Sequence, residues 1–523
     1  MELTKIKLHS CQEKGKAASQ ITLDDDYNVP DYRPDIVKVL KESGELKFDE
    51  VKPAAGTVWI KGKLIFKVLY RSDQEAGKIS CLRGEIPFQE KINLEGATEY
   101  DQIKADGEIE DLTIGVIHSR KLSIRAVIVL KTSAEEQIEK AIASRVEETA
   151  GCEQRTRRVN ALQLLFSNRD ICRQKSEIVL PSSKPNVQEI LWKSMELRNI
   201  NPRLNADGIK LSGEILLSVL YSEEDETDRI QWYETIVPLD CSVACDAGEL
   251  AGLENVIYKI KVEPVSKEIE VKPDYDGEER MLVMELVLNL DIRIWREEEI
   301  ELLEDLYSLR RNLTPICEST SIDHILVKND SQCRLTERME LMENQEKILQ
   351  ICSCEGRAHL ERIEVQEKGV LAEGIFCVEL LYITTDDGMP IGVLREIYPF
   401  EQLVEIPQNA KNVRVELDSA VNQLSAVMLD QEHVEIKAVV GLNLLALETE
   451  PISNIMEITE EEIDMEELQK RPGLIGYIVK EGDLLFHIAK ENHTTIADIM
   501  KNNQRKEEAL HKGEKILIVK NIE

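Results

Sequence analysis

The chain has 523 residues, 42% hydrophobic and 4% aromatic, with 99 acidic side chains against 65 Lys and Arg and a formal charge of −34. That length calls for several domains, and that hydrophobic fraction supports globular packing. A charge of this sign repels phosphate backbones and anionic lipid surfaces, and no basic stripe offsets it, so the composition argues against nucleic acid and anionic membranes as partners.

The opening MELTKIKLHSCQEKGK has neither an apolar stretch nor a small-residue cleavage site, and residues 1–20 read as a polar lead-in, not a signal peptide. No run approaches the ~18 apolar residues of a membrane helix, so direct membrane insertion is not expected. The eleven cysteines are odd in number and scattered, a pattern that suits a reducing cytoplasm. Cys352 with Cys354, and Cys241 with Cys245, could hold a metal or serve as small buried hydrophobes. Paired C-x-x-C spacing is missing, which favours the second reading and no metal.

A first domain is predicted over 21–131. It opens on DDDYNVPDYRPDIVKVL, extended and punctuated by proline. Strands are expected around 45–51, 58–70, 78–92 and 122–131. The stretch Val58–Tyr70, VWIKGKLIFKVLY, alternates apolar and polar residues in the period of a half-buried strand. It returns as IKLSGEILLSVLY at Ile209–Tyr221 and as LAEGIFCVELLY at Leu371–Tyr382. Each copy carries a glycine eight residues before its tyrosine: Gly62 and Tyr70, Gly213 and Tyr221, Gly374 and Tyr382. A glycine recurring inside a strand marks a bulge or a close backbone approach.

Further landmarks keep the same order. Pro87, Pro238 and Pro399 each follow their tyrosine by seventeen residues. Ile124–Val127 corresponds to Ile436–Val439 and, displaced by the loop PDYDG, to Val283–Leu286. The openings PDIVKVL at 34–40 and PNVQEIL at 185–191 align with EKILQIC at 346–352, which lacks the proline. A period of roughly 150 residues is far beyond that of solenoids, so these are tandem domains: 21–131, 172–291 and 332–447.

Between them, residues 132–165 and the stretch WREEEIELLEDLYSLRRN are rich in helix formers and read as partly helical linkers. Leu302, Leu303, Leu306 and Leu309 form an apolar stripe expected to pack on a β-domain. Residues 448–475 are dense in Glu and Asp and read as an acidic linker, extended by self-repulsion, on which the last domain moves independently.

Residues 476–520 read as a βααβ module. Tyr477–Val479 is a strand, and Asp483 is placed to cap a first helix whose inner face is Leu485, Ile488 and Ala489. A second helix turns Ile496, Ile499 and Met500 inward, and Gly513 leads into a closing strand at 515–519. The fold class expected is mainly β: three tandem β-sandwich-like repeat domains joined by partly helical linkers, plus this small α+β unit.

Tyr477, Val479, Gly482, Asp483, Leu485, Ile488, Ala489, Asn502, Gly513, Leu517 and Val519 make the module resemble a LysM domain. That resemblance implies a shallow groove for N-acetyl sugars formed by Gly482, Asp483, Leu484, Leu485, Asn502, Asn503 and Gln504. Leu484 stands where the family carries Thr or Ser, Lys512 replaces a Pro and Glu514 a Gln; the hydroxyl lost at 484 removes a polar contact and leaves an apolar surface, which favours a protein ligand over a glycan. Phe486 could extend the apolar rim or belong to the module's own core. The three repeats are similar to the SPOCS domains of clostridial spore proteins, on their opening motifs and the glycine–tyrosine strand. Three such domains followed by one LysM imply a spore-coat morphogenetic adaptor in the mother-cell cytoplasm. The resemblance further implies recruitment to the forespore surface and binding through LysM to a SpoIVA-like coat ATPase; the alternative is a binder of peptidoglycan in cortex or wall.

No catalytic constellation is expected. Gly56–Lys63 has the wrong spacing for a phosphate loop and Leu64 replaces the required hydroxyl. His487, His493 and His511 lack the paired spacing of a metal site. The chain therefore reads as non-enzymatic, without cofactor.

Overall fold

A computed structural model describes residues 2–73, 78–147, 152–224, 229–244, 255–407, 410–470 and 472–520. Strands dominate, and the same six-strand unit is laid down three times. The first copy comprises β1 (Leu3–Asn28), β2 (Ile36–Ala54), β3 (Thr57–Ser72), β4 (Ile79–Asn93), β5 (Gln102–His118) and β6 (Lys121–Val146). The second is β7 (Cys152–Val179), β8 (Val187–Asn205), β9 (Gly208–Glu223), β10 (Ile230–Val243), β11 (Val256–Pro273) and β12 (Glu279–Ser308). The third is β13 (Arg311–Glu340), β14 (Ile348–Gln366), β15 (Gly369–Thr384), β16 (Ile391–Glu405), β17 (Val413–Met428) and β18 (His433–Glu462). In each copy two antiparallel three-stranded sheets form, in the orders β2-β3-β4 and β1-β6-β5 and their counterparts. The alternating residues of the central strands fill the space between them, with Leu64, Phe66, Val68 and Tyr70 fully buried in the first copy. The sequence alignment needs one correction: the register places Met284, not Val283, opposite the core where Ile124 and Ile436 sit.

The recurring glycine and tyrosine each have a structural cause. The tyrosine hydroxyls donate to a backbone carbonyl in the turn that opens each copy: Tyr70 to Pro34 (3.2 Å), Tyr221 to Pro185 (3.3 Å) and Tyr382 to Glu346 (3.2 Å). The third tyrosine keeps its bond without the proline because only the carbonyl is used. Gly62 and Gly374 lie beside bulges in the neighbouring strand, and a Cβ there would meet the carbonyl of Lys47 at 2.6 Å or of His359 at 2.3 Å, and the ring of Phe88 or Phe400 at 2.8 Å. Phe88 and Phe400 follow the landmark prolines, which sit on the edge strands β4 and β16, where a missing N–H costs no ladder bond.

The copies close on one another. β4 packs on β8, β10 on β14, and β16 on β2, the same edges used in cyclic order, which is a pseudo-threefold ring. A shared cluster on its axis includes Leu69, Leu220 and Leu381, the same position in the three copies. Lys41, Trp192 and Ser353 likewise occupy one equivalent bulge. There the copies differ: the Lys41 ammonium, 1% exposed, lies 4.8 Å from the Trp192 ring centroid and pairs with Glu355 (3.0 Å) and Glu379.

Within the described residues, the expected helical linkers are strands. β6, β12 and β18 run on past their sheets, paired only with β1, β7 and β13, so three two-stranded ribbons leave the ring together. Their inward residues make one stem: Leu8 and Ile142, Val159 and Ile300, Ile322 and Ile452, one pair from each ribbon. Residues 3–17 of the lead-in and the acidic stretch up to Glu462 are thus pairing partners, the first of 132–146 and the second of 311–323. Edge-to-edge pairing and a shared apolar interior outweigh the helix propensity of these segments. Leu302, Leu303 and Leu306 are buried as expected, but from a strand. Within the described residues, the acidic linker shrinks to the few after Glu462, which include α1 (Met465–Lys470).

The C-terminal module is β19 (Leu474–Ile478), α2 (Leu485–Glu491), α3 (Ile496–Asn502) and β20 (Lys515–Val519), the expected βααβ order. Cys172 and Cys241 form a disulfide between β7 and β10, with Cα atoms 6.5 Å apart, a pairing the scattered cysteine pattern did not indicate. Cys245 lies outside the described residues. Burial pushes the thiols of Cys352 and Cys354 up to about 12.

Candidate binding groove on the C-terminal module

Two loops form the groove: the turn between β19 and α2, and the segment from α3 towards β20. Gly482 takes a positive φ of 88° that only glycine adopts freely, and the space around it is open. Asp483 follows. It does not cap α2, whose N-cap is Leu484 with no side-chain bond. Its carboxylate instead accepts from the Lys480 amide (2.7 Å) and the Tyr477 hydroxyl (2.9 Å), closing the turn onto β19. The amide bond, aided by the tyrosine, holds the Asp483 carboxyl below the usual range; the shared proton raises Tyr477.

On the other side, the Asn503 amide is consumed structurally. It donates to the carbonyls of Ile499 (2.8 Å) and Leu517 (2.7 Å) and accepts from the Leu517 amide (2.7 Å). Leu517 pairs with Gly476, next to Tyr477, so both loops are pinned to neighbouring rungs of one hairpin. Asn502 and Gln504 remain exposed, Gln504 with φ of 53°. Leu484 is 41% exposed, whereas Leu485 is buried in the module.

Phe486 does not belong to the groove. It is buried against the Tyr307 ring at the end of β12, edge to face at 5.2 Å between centroids. Around it the module is docked on the stem: Tyr307 donates to the Thr494 carbonyl (2.9 Å), Lys490 pairs with Asp305 (2.6 Å), and Arg155 bonds His487 (3.1 Å). Lys520 reaches back to the Leu468 carbonyl (2.6 Å). The expectation of an independently moving last domain is therefore replaced by a seated one, because its helix α2 buries an aromatic on the stem while the groove loops stay open. Sequence reasoning did not find Tyr307. The signal was an aromatic in DLYSLRRN, in a chain with few aromatics, within the predicted linker between the second and third domains.

Among the described residues no group of three or more His, Cys, Asp or Glu is arranged to hold a metal, and no helix is long and apolar enough to cross a membrane. Comparison with curated proteins and with solved structures returns no match. Residues 35–117 and 347–429 match the family described as SipL, SPOCS domain, and residues 477–519 match the LysM domain. The matched stretches of the first and third copies span β2 to β5 and β14 to β17, and the middle copy repeats the same strand order. The chain thus carries two SPOCS domains of the SipL type and a LysM domain.

Proposed function

We propose that the chain is a non-enzymatic adaptor of spore-coat assembly that uses its LysM groove to bind a protein, a SpoIVA-like coat ATPase. In this reading it works in the mother-cell cytoplasm and is recruited to the forespore surface. SPOCS domains of the SipL type support the sporulation role. The observation that carries the protein ligand is Leu484, an exposed leucine at the groove position where the resemblance implies a hydroxyl. A leucine there removes a polar contact a sugar would use and supplies an apolar anchor of the kind protein interfaces concentrate on. Full-length protein should capture the ATPase, and Leu484→Asp should weaken capture about tenfold or more with the module still folded. Unchanged capture by Leu484→Asp removes this residue from the contact, and no capture by the wild type removes the partner.

The LysM match itself favours a second reading, binding of peptidoglycan. Retention on purified peptidoglycan, lost with Asn502→Ala and Gln504→Ala, would support it. Asp483→Ala is a poor probe, since that carboxylate holds the turn together.

A further inference from the structure

The turns at the end of the ring remote from the stem differ among the three copies in one telling way. In the first, the Arg120 guanidinium donates to the carbonyls of Pro30 (2.9 Å) and Arg33 (2.7 Å) and pairs with Asp35 (2.9 Å). In the second, Arg280 does the same to Pro181 (2.9 Å) and Lys184 (3.2 Å). The third copy has Glu432 at that position, so the cation that ties this loop in the other two is replaced by an anion.

The backbone of the third turn is nevertheless built alike, with Leu341 bonded to Glu432 (3.0 Å) and Ile348 to Gln431 (2.9 Å), as Val29 is to Arg120 and Ile36 to Ser119. Those bonds bring four apolar side chains to one crown: Met342 (62% exposed), Leu349 (57%), Met428 (40%) and Leu429 (52%). Glu340, Glu343, Glu346, Asp430 and Glu432 surround them, answered locally by Lys347 on Glu432 (3.0 Å) and His433 on Asp430 (2.8 Å).

We infer that the crown of the third copy is a docking surface for a basic amphipathic segment of another protein, distinct from the LysM groove. The complementarity is specific. An incoming arginine takes the place that Arg120 and Arg280 hold in the sister copies, bonding the Met342 and Gln345 carbonyls and sharing the Glu432 carboxylate with Lys347. Apolar residues of the same segment cover Met342, Leu349, Met428 and Leu429. Unbranched methionines give such a surface latitude in what it packs against, and the excess of carboxylates sets the sign of the partner. The first copy shares exposed Val116 and Ile117 but answers Asp31 and Asp35 with its own Arg120.

The test uses the full-length protein and a fluorescent amphipathic Leu/Arg peptide, with a Leu/Glu peptide of the same pattern as its counterpart, read by anisotropy at physiological salt. The Leu/Arg peptide should bind, and Glu432→Arg and Leu429→Asp should each weaken it about tenfold, the effect of one lost charge-assisted contact or apolar anchor. Glu367→Arg, an equal change of net charge in the turn between β14 and β15, and Ile117→Asp, on the first copy's crown, should leave binding unchanged. The inference is overturned if the wild type fails to bind, if Glu367→Arg weakens binding as much as Glu432→Arg, or if the Leu/Glu peptide binds equally. Sedimentation showing a wild-type dimer that Leu429→Asp dissociates would also overturn it, since the crown would then cover a second copy of this chain.

Discussion

Replacing Tyr307 by Ala should release the LysM domain from the stem. The ring is 5% exposed and stacks edge to face on Phe486, and the hydroxyl satisfies the Thr494 carbonyl at 2.9 Å. Truncating a buried aromatic to Ala costs about 3–5 kcal/mol, and the unmatched carbonyl adds about 1 kcal/mol. At 1.4 kcal/mol per factor of ten, the undocked population should rise by at least about two orders of magnitude. Tyr307→Phe keeps the ring and loses only the hydroxyl, so its rise should be roughly fivefold. Trypsin reads this directly: Lys490 is tied to Asp305 when docked and freed when not, and cleavage through a rapidly opening state tracks the open population. The rate of cleavage at Lys490 should therefore follow the order wild type, Tyr307→Phe, Tyr307→Ala, while ring and stem stay intact by circular dichroism. Equal rates in all three proteins would show that the aromatic contact does not hold the domain, and the seated arrangement would lose its main support.

Lys41→Met should destabilise the ring by about 3–5 kcal/mol in denaturant melts, because two carboxylates are left without their buried cation; a change under 1 kcal/mol would refute the pairing. Burial alone would lower Lys41, but Glu355 and Glu379 outweigh it and hold the ammonium above its ordinary value. Gly374→Ala should cost about 1–3 kcal/mol through overpacking against the His359 carbonyl and the Phe400 ring, whereas Gly476→Ala, with open space around it, should be close to neutral. Similar costs at both glycines would contradict the account of the repeat. Asn454→Ala should lower stem stability by about 1–3 kcal/mol, since its buried amide bonds the Ala143 amide at 2.9 Å and the Ala141 carbonyl at 2.8 Å across ribbons. For Asp483, a carboxyl lowered in the folded state contributes stability that is present at neutral pH and lost as the pH falls below about 4 through the lowered native value. Hydrogen exchange at Lys480, corrected for its intrinsic rate, should accelerate across that window in the wild type and not in Asp483→Asn.

What the sequence disclosed and what it hid follow from one distinction. The ring strands bury one face against their own copy, so Leu64, Phe66 and Val68 print a clean period of two, and the glycine and tyrosine landmarks answer to contacts inside a single repeat. The stem strands bury their faces against other repeats and carry a bulge at one equivalent place: Ser144, Glu304 and Met456 each fall out of register. A bulge shifts the alternation, so Leu302 and Leu303 are both buried and Leu306 follows three later, a spacing that imitates a helix. The LysM loops were legible because their roles are local, but Phe486 was not, since its partner Tyr307 stands 179 residues earlier in the chain.

The same distinction explains why one chain carries three copies instead of three chains carrying one. Three identical chains would place three identical side chains at the axial bulge: three lysines would repel, and three tryptophans would exclude the cation. Here Lys41, Trp192 and Ser353 fill it with one charge, one aromatic face and one small residue, and the neutralising carboxylates come from the third copy only. Covalent linkage permits that division of labour, and it permits a second one. The stem ends in three ribbons, but only β12 presents Tyr307 and Asp305 to a single LysM domain. A symmetric trimer would offer three seats. Divergence of the copies thus converts a ring with equivalent ends into a molecule with one oriented groove at the stem and one crown at the far side where carboxylates outnumber their local cations.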